Sequence, residues 1–440
     1  MMQDTIVAIS TSLQEGAIAI VRLSGDESIE IVNSMFNQDL TKVKSHQVCY
    51  GMIKSDGQTI DEVLVSLFRA PKSYTTEDIV EIHCHGGVVV TRQILQCCLS
   101  KGARLALPGE FTQRAFIHGR IDLTQAESVM DLLQAQNTRN AQSAISGIKG
   151  SVAKLIQPLC ESLLEMIATI EVNIDYPEYD DVEQLTNHIL IPKAKLWYQE
   201  IEKIVTQAKG AYQIKKGITT VILGKPNVGK SSLLNALIEE DKAIVTEIEG
   251  TTRDIVEGTV QCGNVFLRLL DTAGIRDTSD EVEKIGIEKS LRAVEEADLC
   301  LVVLDGSQEL DERDEEILKK TENKNRIIVY NKKDIKSGNG LSVSAMTKDT
   351  QELIDEIEKR FEKQLHYSDE STLNNERQIA LAMKSKESIA QAIIALESGI
   401  ELDLVSIDLQ KGYTALKEIL GEVSKDDLLD TLFSRFCLGK

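Results

Sequence analysis

The sequence predicts a multidomain α/β protein, with an N-terminal α+β domain, an α-helical domain, and a second α/β domain inserted into the helical one. The length of 440 residues allows about three domains of ordinary size. The spacing of apolar residues changes from strand-like to helical near residue 121, and a strand–loop–helix pattern at residues 214–366 separates two helical segments. Such an insertion is tolerated because the termini of a domain often lie close together.

The composition is ordinary for a soluble globular protein, with 42% hydrophobic and 27% charged residues. Asp and Glu total 70 against 49 Lys and Arg, so the formal net charge is −21. This balance argues against broad, nonspecific nucleic-acid binding, which needs many basic groups, but it leaves room for a local basic site. Residues 1–120 carry 11 basic and 13 acidic side chains and are the segment nearest neutrality.

Membrane and export signals are not expected. The sequence has no run of 18 apolar residues, and no basic segment precedes an apolar core near residue 1. The eight cysteines are scattered and form no CxxC pair. They are therefore interpreted as reduced thiols, which predicts a cytoplasmic protein.

The N-terminal segment, residues 1–120, mixes apolar runs of strand length with runs of helical spacing. It predicts strands at residues 6–9, 17–23, 63–68 and 79–83, and helices at residues 28–36 and 89–99.

The helical domain is predicted in two parts, residues 121–213 and residues 367–440. In the first part apolar residues recur at helical spacing, Tyr176-Pro-Glu178 marks a loop, and residues 184–209 are helical again. The second part shows the same spacing over residues 374–430.

A phosphate-binding loop opens the inserted domain, residues 214–366. Gly224-Lys-Pro-Asn-Val-Gly-Lys-Ser231 fits the pattern GxxxxGK[ST], and it follows an apolar strand and precedes a helical run. In such a loop backbone N–H groups surround the phosphates, Lys230 reaches the β and γ oxygens, and the Ser231 hydroxyl binds Mg²⁺. A chance glycine turn is the alternative.

Two further motifs suit the γ-phosphate and Mg²⁺. Asp271-Thr-Ala-Gly274 follows the apolar run at residues 265–270, so Asp271 is placed to hold Mg²⁺ through water and Gly274 to donate its N–H. Gly250-Thr-Thr252 lies between the two motifs, where Thr252 completes the Mg²⁺ shell as in a switch loop.

A guanine-selecting motif follows the next apolar run. In Asn331-Lys-Lys-Asp334 the Asp334 carboxylate accepts hydrogen bonds from guanine N1–H and its exocyclic amine, a donor pair that adenine lacks. Ser344-Ala345 supports the base through backbone N–H. Five motifs in this order predict a P-loop GTPase whose nucleotide contacts are Asn227, Val228, Gly229, Lys230, Ser231, Ser232, Gly250, Thr251, Thr252, Asp271, Thr272, Ala273, Gly274, Asn331, Lys332, Asp334, Ser344 and Ala345. The family resemblance given below adds Thr246, Glu247, Ile248 and Glu249 to these contacts.

The inserted segment is similar to translation-factor-class P-loop GTPases, with a Ras-like α/β domain. Ile275 stands where Ras-like proteins carry a glutamine that orients the attacking water, and an aliphatic side chain cannot do this. Glu283 is a candidate to position water, and Asn227 with the 246–251 loop could bind a monovalent cation. The alternative for Glu283 is an ordinary carboxylate on a helix surface.

Other motifs, from end to end of the chain, resemble the MnmE (TrmE) family of tRNA modification GTPases, of the TrmE-Era-EngA-like group. They are Asp4-Thr-Ile-Val-Ala8, Ile20-Val-Arg-Leu-Ser-Gly25, Ser73-Tyr-Thr75, Glu77-Asp-Ile-Val-Glu81, His85-Gly-Gly87, Pro108-Gly-Glu-Phe-Thr-Gln-Arg-Ala-Phe116, Ile121-Asp-Leu-Thr-Gln-Ala-Glu127, Asp280-Glu-Val-Glu-Lys-Ile-Gly-Ile-Glu288 and the terminal Phe436-Cys-Leu-Gly-Lys440.

The resemblance implies an N-terminal tetrahydrofolate-binding domain that forms a homodimer, and a GTPase inserted into a helical domain. It implies a K⁺-stimulated, Mg²⁺-dependent GTPase that works on tRNA in a heterotetramer or larger complex with a partner of MnmG (GidA) type, which carries FAD. Together they would add an aminomethyl or carboxymethylaminomethyl group at carbon 5 of a wobble uridine. The carbon would come from 5-formyl- or 5,10-methylene-tetrahydrofolate.

Site residues follow from the resemblance position by position. Folate contacts are implied at Arg22, Glu81, Arg120 and Lys440, K⁺ ligands at Asn227, Thr246, Ile248 (through its carbonyl) and Thr251, and catalytic roles at Glu283, Asn227 and Cys437. Cys437 also fits as a small apolar residue between Phe436 and Leu438. The sequence departs from the family at residues 10–16, at Thr76, where glycine is usual, and at Arg120, where lysine is usual.

Three alternatives remain open. A ribosome-assembly or regulatory GTPase switch would need neither the folate segment nor the terminal cysteine motif. A structural helical protein that senses nucleotide would not need the ordered Mg²⁺ motifs. His83-Cys-His85 suggests a metal site, but alternate residues on a strand share a face, so only His83 and His85 could act together.

Overall fold

The computed structural model describes residues 4–135, 137–175, 182–240, 258–270, 293–336, 338, 340–369, 372–423, 429, 432–434, 436 and 439. The chain divides into two compact units, one comprising Met1–Tyr198 with Ala380–Lys440 and the other Gln199–Ile379. The second unit interrupts the first, so the predicted architecture of an inserted α/β domain is confirmed. The boundaries at residues 120, 213 and 366 stay predictions.

The first unit begins with a six-stranded sheet of order β3-β4-β5-β2-β1-β6 within the described residues. Its elements are β1 (Ile6–Ile9), β2 (Ile18–Ser24), α1 (Ser28–Asn33), β3 (Gln47–Ser55), β4 (Gln58–Phe68), β5 (Ile79–His85), α2 (Val88–Ser100), β6 (Arg104–Leu105) and α3 (Glu110–Ile117). The predicted strand at residues 6–9 is confirmed, whereas β3 and α3 were not predicted. In β3 three of the exposed positions carry Val48, Tyr50 and Met52, so the usual alternation of polar and apolar residues is missing.

The alternation of side chains along β2 determines what each sheet face contains. Val21 and Leu23 are buried in a core that also includes residues of α1 and α2, such as Ile29 and Ile94. Ile20 and Arg22 lie on the opposite face, since successive side chains of a strand point to opposite sides. One face of the sheet is therefore covered by helices, and the other carries Arg22.

The helices that follow in sequence are α4 (Leu123–Gln134), α5 (Thr138–Ile148), α6 (Ser151–Asp175) and α7 (Val182–Lys216), and the boundary between the two units falls within α7. Helix α4 starts at Asp122, whose carboxylate accepts the Gln125 N–H while the Gln125 side chain accepts the Asp122 N–H. The predicted helix at residues 184–209 lies within α7, and the predicted loop at residues 176–178 lies outside the described residues.

The second unit contains a five-stranded sheet of order β11-β10-β7-β9-β8 within the described residues. Its elements are β7 (Ile218–Leu223), α8 (Lys230–Glu240), β8 (Gly258–Cys262), β9 (Val265–Leu269), β10 (Leu299–Asp305), α9 (Glu312–Lys320), β11 (Arg326–Asn331), α10 (Gln351–Arg360) and α11 (Glu362–Asp369). Strands β7, β9, β10 and β11 run parallel, and β8 is antiparallel to β9. The carboxyl ends of β7, β10 and β11 therefore lie at one edge of the sheet, where ligands bind in this class of fold.

The chain returns to helices with α12 (Glu376–Glu397) and α13 (Leu402–Leu420). Within the first unit, Ser385 on α12 donates to the Gly412 carbonyl on α13, and the Trp197 indole donates to the Leu159 carbonyl. Near the end of the chain Phe433 and Phe436 pack among residues of α3 and α4. No helix among the described residues is long and apolar enough to cross a bilayer.

Candidate functional site

The phosphate-binding loop connects the carboxyl end of β7 to the first turn of α8. Gly224 and Gly229 both have positive φ, and a β-carbon on Gly229 would clash with the Asn331 side chain. Two of the predicted glycines are therefore required by the backbone conformation and by the closeness of Asn331.

Lys230 lies at the start of α8, and its ammonium group points back into the loop. Nζ donates to the carbonyl oxygens of Gly224, at 2.7 Å, and of Lys225, at 2.9 Å. Burial lowers the pKa of Lys230, and no acidic side chain of the described residues pairs with it. A partly buried cation whose partners in the described part of the chain are two carbonyl oxygens is placed to bind phosphate oxygens, whose charge would favour its protonated form.

The predicted guanine-binding segment is joined to the phosphate loop by Asn331. Its Nδ2 donates to the Val228 carbonyl at 2.9 Å, and its Oδ1 accepts the Ala345 N–H at 3.1 Å. Asn331 is only 3% exposed, so these bonds connect three loops through a buried amide. The structure therefore brings the predicted residues Val228, Asn331 and Ala345 together.

Asp334 is exposed, and its Oδ1 accepts the Ser344 hydroxyl at 2.6 Å. This bond orients a carboxylate that remains exposed, as the predicted contact with two guanine donors requires. It also gives Ser344 a side-chain role that the sequence did not predict, beside the predicted backbone support of the base.

Asp305, at the carboxyl end of β10, was missed by the sequence interpretation. Its Oδ2 lies 2.7 Å from Nζ of Lys332, a predicted nucleotide contact. Burial raises the pKa of Asp305, but hydrogen bonds from Lys332 and Ser307 outweigh it, so the pKa is below the usual range. An acidic residue that ends an all-apolar strand beside β11 was a signal that could have identified it.

Ser231 and Ser232 lie exposed in the first turn of α8, and Asn227 is exposed with a φ of 64°. Of the predicted Mg²⁺ ligands, Ser231 is beside Lys230, where a metal bound to the phosphates would lie. The other predicted nucleotide, metal and catalytic residues of this unit lie outside the described residues: Thr246, Glu247, Ile248, Glu249, Gly250, Thr251, Thr252, Asp271, Thr272, Ala273, Gly274 and Glu283.

A second predicted site lies on the face of the first unit's sheet that carries Arg22, opposite the face covered by α1 and α2. Arg22 and Glu81 are direct cross-strand neighbours on β2 and β5, and Nε and Nη2 of Arg22 each lie 2.8 Å from Glu81 Oε1. Arg22 Nη1 also donates to the Gly439 carbonyl at 3.2 Å. The end of the chain therefore reaches Arg22, although Cys437 and Lys440 lie outside the described residues.

Arg120 stacks on Tyr74, with its guanidinium carbon 4.5 Å from the ring centre, and Arg22 lies 5.7 Å from the ring centre of Phe111. Tyr74 and Phe111 belong to one hydrophobic cluster. Arg22 and Arg120 are thus placed over aromatic rings of the same cluster. The sequence did not assign a role to either ring.

A buried ion network holds the turn that carries Tyr74. Arg114 is 1% exposed and lies 2.8 Å from Asp4, 3.0 Å from Glu77 and 3.1 Å from Glu110. Glu77 also accepts the Ser24 hydroxyl at 2.7 Å. These bonds connect α3, β2 and the 73–77 turn. Residues of the Glu110–Arg114 motif therefore fix the position of the turn that carries Tyr74.

The histidines of the His83-Cys-His85 segment have protein partners. His83 Nε2 lies 3.1 Å from the Ser66 hydroxyl, and His85 Nδ1 lies 2.7 Å from Asp61. The part of the chain that the structure describes holds no cluster of three or more His, Cys, Asp or Glu side chains suited to a metal.

Thr76 adopts a left-handed conformation, with φ of 65°. A β-branched residue is strained there by about 1–2 kcal/mol, which explains why glycine would be favoured. Because glycine also gains freedom in the unfolded chain, we expect Thr76→Gly to stabilise the first unit by only about 0.5–1 kcal/mol. Thermal unfolding would measure this change. A fall in stability for Thr76→Gly would contradict the strain.

Known proteins resemble this chain over nearly its whole length. Residues 123–437 match the model of the MnmE helical domain, and residues 5–120 match that of the GTP-binding protein TrmE N-terminus. A tRNA modification GTPase MnmE of Bacillus cytotoxicus is 48% identical and aligns over 99% of both chains. Its counterpart from Lactococcus lactis is 47% identical over 99% of this chain and 98% of that one.

A solved structure, that of Aquifex aeolicus Era bound to GDP and AlF₄⁻, is 28% identical over 39% of this chain and 66% of that chain. Its TM-score of 0.24 is too low to support an argument.

Proposed function

This chain belongs to the MnmE family of tRNA modification GTPases, and from that premise we propose that it modifies the wobble uridine of certain tRNAs. It hydrolyses GTP to GDP, and the hydrolysis would control addition of an aminomethyl or carboxymethylaminomethyl group at carbon 5 of that base. An FAD-dependent partner of MnmG (GidA) type would act with it in the cytoplasm.

One observation carries the GTPase part of the proposal. The buried Asn331 amide joins the phosphate loop, through Val228, to the Ser344–Ala345 loop, while Ser344 orients Asp334. These bonds support the proposal that phosphate and guanine subsites lie side by side in one preformed site. Mg²⁺, held by Ser231 and Thr252, would neutralise charge on the phosphates.

The proposed tRNA chemistry is tested by nucleoside analysis of tRNA from a strain that lacks this chain. We expect the modified wobble uridine to disappear and to return when the wild-type chain is expressed, but not when Lys230→Met is expressed. An unchanged nucleoside profile would instead favour the alternative, a ribosome-assembly or regulatory GTPase without base chemistry.

A tetrahydrofolate derivative is the proposed one-carbon source, bound by Arg22, Glu81, Arg120 and Lys440. The carboxylates of folate suit arginine, and its pterin N–H groups suit a glutamate. The stacking of Arg22 and Arg120 over Phe111 and Tyr74 supports a site for a flat, anionic molecule.

We expect Arg22→Met to weaken binding of 5-formyl-tetrahydrofolate by about 100-fold, because it removes a partly buried charged contact. Titration calorimetry would measure the loss, with thermal unfolding to check that the sheet persists. Arg92→Met is the matched control, since Arg92 is exposed on α2, which packs on the opposite face of the sheet. Absence of heat with the wild-type chain would reject the folate site.

A K⁺ ion is proposed beside the phosphates, with Asn227, Thr246, Ile248 and Thr251 as ligands. The exposed Asn227 side chain, on a backbone with positive φ, supports its part in this set. We expect hydrolysis to be about tenfold or more faster in K⁺ than in Na⁺ at equal ionic strength, since a bound cation offsets the developing negative charge. Asn227→Ala should remove the difference. Equal rates in the two salts would contradict the cation site.

A homodimer is proposed through the part of the Arg22 face that β3 and β4 form in the first unit's sheet. Val48, Tyr50 and Met52 on β3 and Leu64 on β4 are exposed and, by strand register, share the face that carries Arg22 and Glu81. Exposed apolar residues grouped on one sheet face suit contact with a second copy. Sedimentation equilibrium would distinguish a dimer from a monomer.

A further inference from the structure

The side chain of Lys225, the second residue of the phosphate loop, is anchored outside that loop. Its Nζ lies 2.9 Å from Asp311 Oδ2 and 2.8 Å from Asp314 Oδ2, at the start of α9. Only 14% of the Lys225 side chain and 2% of that of Asp314 are exposed. This is a largely buried ion pair between segments 89 residues apart in sequence, and such pairs depend strongly on both partners.

Asp314 is held by little else among the described residues. Its Oδ2 also accepts the Asp311 N–H at 3.3 Å, as part of the cap of α9, while its Oδ1 is buried without a hydrogen-bond partner in the described part of the chain. A buried carboxylate needs compensating charge. The cap explains the contact between the two aspartates, but it does not explain why a lysine of the phosphate loop extends to them.

The backbone of Lys225 leads back to the phosphates. Its carbonyl accepts a hydrogen bond from Nζ of Lys230 at 2.9 Å. Lys225 is therefore held by α9 through its side chain and holds Lys230 through its carbonyl. Lys230 is the cation expected on the β and γ phosphate oxygens.

We propose that Lys225, held by Asp314 and Asp311, is a positioning residue that sets Lys230 and the phosphate loop for binding the β and γ phosphates. The inference rests on the proposed nucleotide site and adds α9 to it as a support. It predicts that the free energy of phosphate binding depends on a carboxylate that never touches the nucleotide.

The test compares GDP dissociation constants of the full-length chain and its variants. Lys225→Met should raise the GDP dissociation constant about tenfold, and so should Asp314→Asn, which keeps an acceptor for the cap. The double variant Lys225→Met/Asp314→Asn should bind GDP no more than about twofold more weakly than either single variant, because each substitution breaks the same ion pair. Lys225→Arg should recover most of the affinity. Lys320→Met, which breaks an exposed pair with Glu316 on the same helix, is the matched control and should bind as the wild type does.

A second comparison separates positioning from a general effect on folding. In a Lys230→Met background, Lys225→Met should add less than about a twofold loss, because its effect passes through Lys230. A tenfold loss that persists in that background would overturn the proposal, and so would wild-type affinity in Lys225→Met. Thermal unfolding without nucleotide shows whether each variant is folded. The Lys225→Met/Asp314→Asn variant leaves no unpaired buried carboxylate, so its fold is the least disturbed. If the wild-type chain bound no GDP, the proposed nucleotide site would be wrong. That outcome differs from wild-type affinity in Lys225→Met, which would reject only the positioning role.

Discussion

The Asp334→Asn variant is expected to bind GTP about a thousand-fold or more weakly than the wild-type chain. The Asp334 carboxylate is exposed and oriented by Ser344, and it would accept both guanine N1–H and the exocyclic amine. An asparagine amide places a donor against a donor and leaves polar groups unpaired, a change that costs several powers of ten in discrimination. Equilibrium binding of a fluorescent GTP analogue, displaced by unlabelled GTP, would measure the loss.

Xanthosine triphosphate is the nucleotide that tests the guanine assignment in this variant. Xanthine carries an oxygen where guanine has its exocyclic amine, so the asparagine amide can donate to it, and binding of this nucleotide should improve as GTP binding falls. Asp355→Asn is the control, because Asp355 lies on the exposed side of α10 and contacts Gln351. If Asp334→Asn kept GTP affinity within tenfold, the assignment of the guanine site would be wrong.

The Glu283→Gln variant is expected to hydrolyse GTP about 10²–10⁴-fold more slowly while it binds GTP normally. The reason is chemical, since Ile275 cannot orient water and a carboxylate that accepts a proton from water contributes a factor of this size. Glutamine keeps the shape and loses the basic oxygen. Single-turnover hydrolysis with enzyme in excess would measure the chemical step apart from product release.

Glu281→Gln is the matched control for this prediction, because it removes the same charge two residues away in the same segment. It should hydrolyse GTP at a rate close to that of the wild type. An equal slowing in both variants would mean that local charge, and not the position of Glu283, governs the rate. Normal hydrolysis in Glu283→Gln would reject its catalytic role.

The sequence by itself determined the chemistry of short contiguous motifs. In the phosphate loop and in Asn331–Asp334, function depends on consecutive backbone groups and on one or two side chains at fixed spacing, and this is local information. The position of Val228, Lys230, Asn331 and Asp334 in one site follows because parallel strands place their carboxyl ends at one edge.

Only the tertiary structure decided which distant side chains meet. Taken as single residues Arg22 and Glu81 would be surface charges, and the family resemblance is what implied folate contacts for them. The register of β2 against β5 makes them a pair. Lys225 reaches Asp314, and Lys332 reaches Asp305, because whole strands and helices pack in one arrangement. Strand register and helix packing depend on the burial of many residues far apart in sequence, so no short segment of the sequence determines them. The motifs therefore predicted the GTPase reaction, and the packing of the fold shows which distant residues contact those motifs.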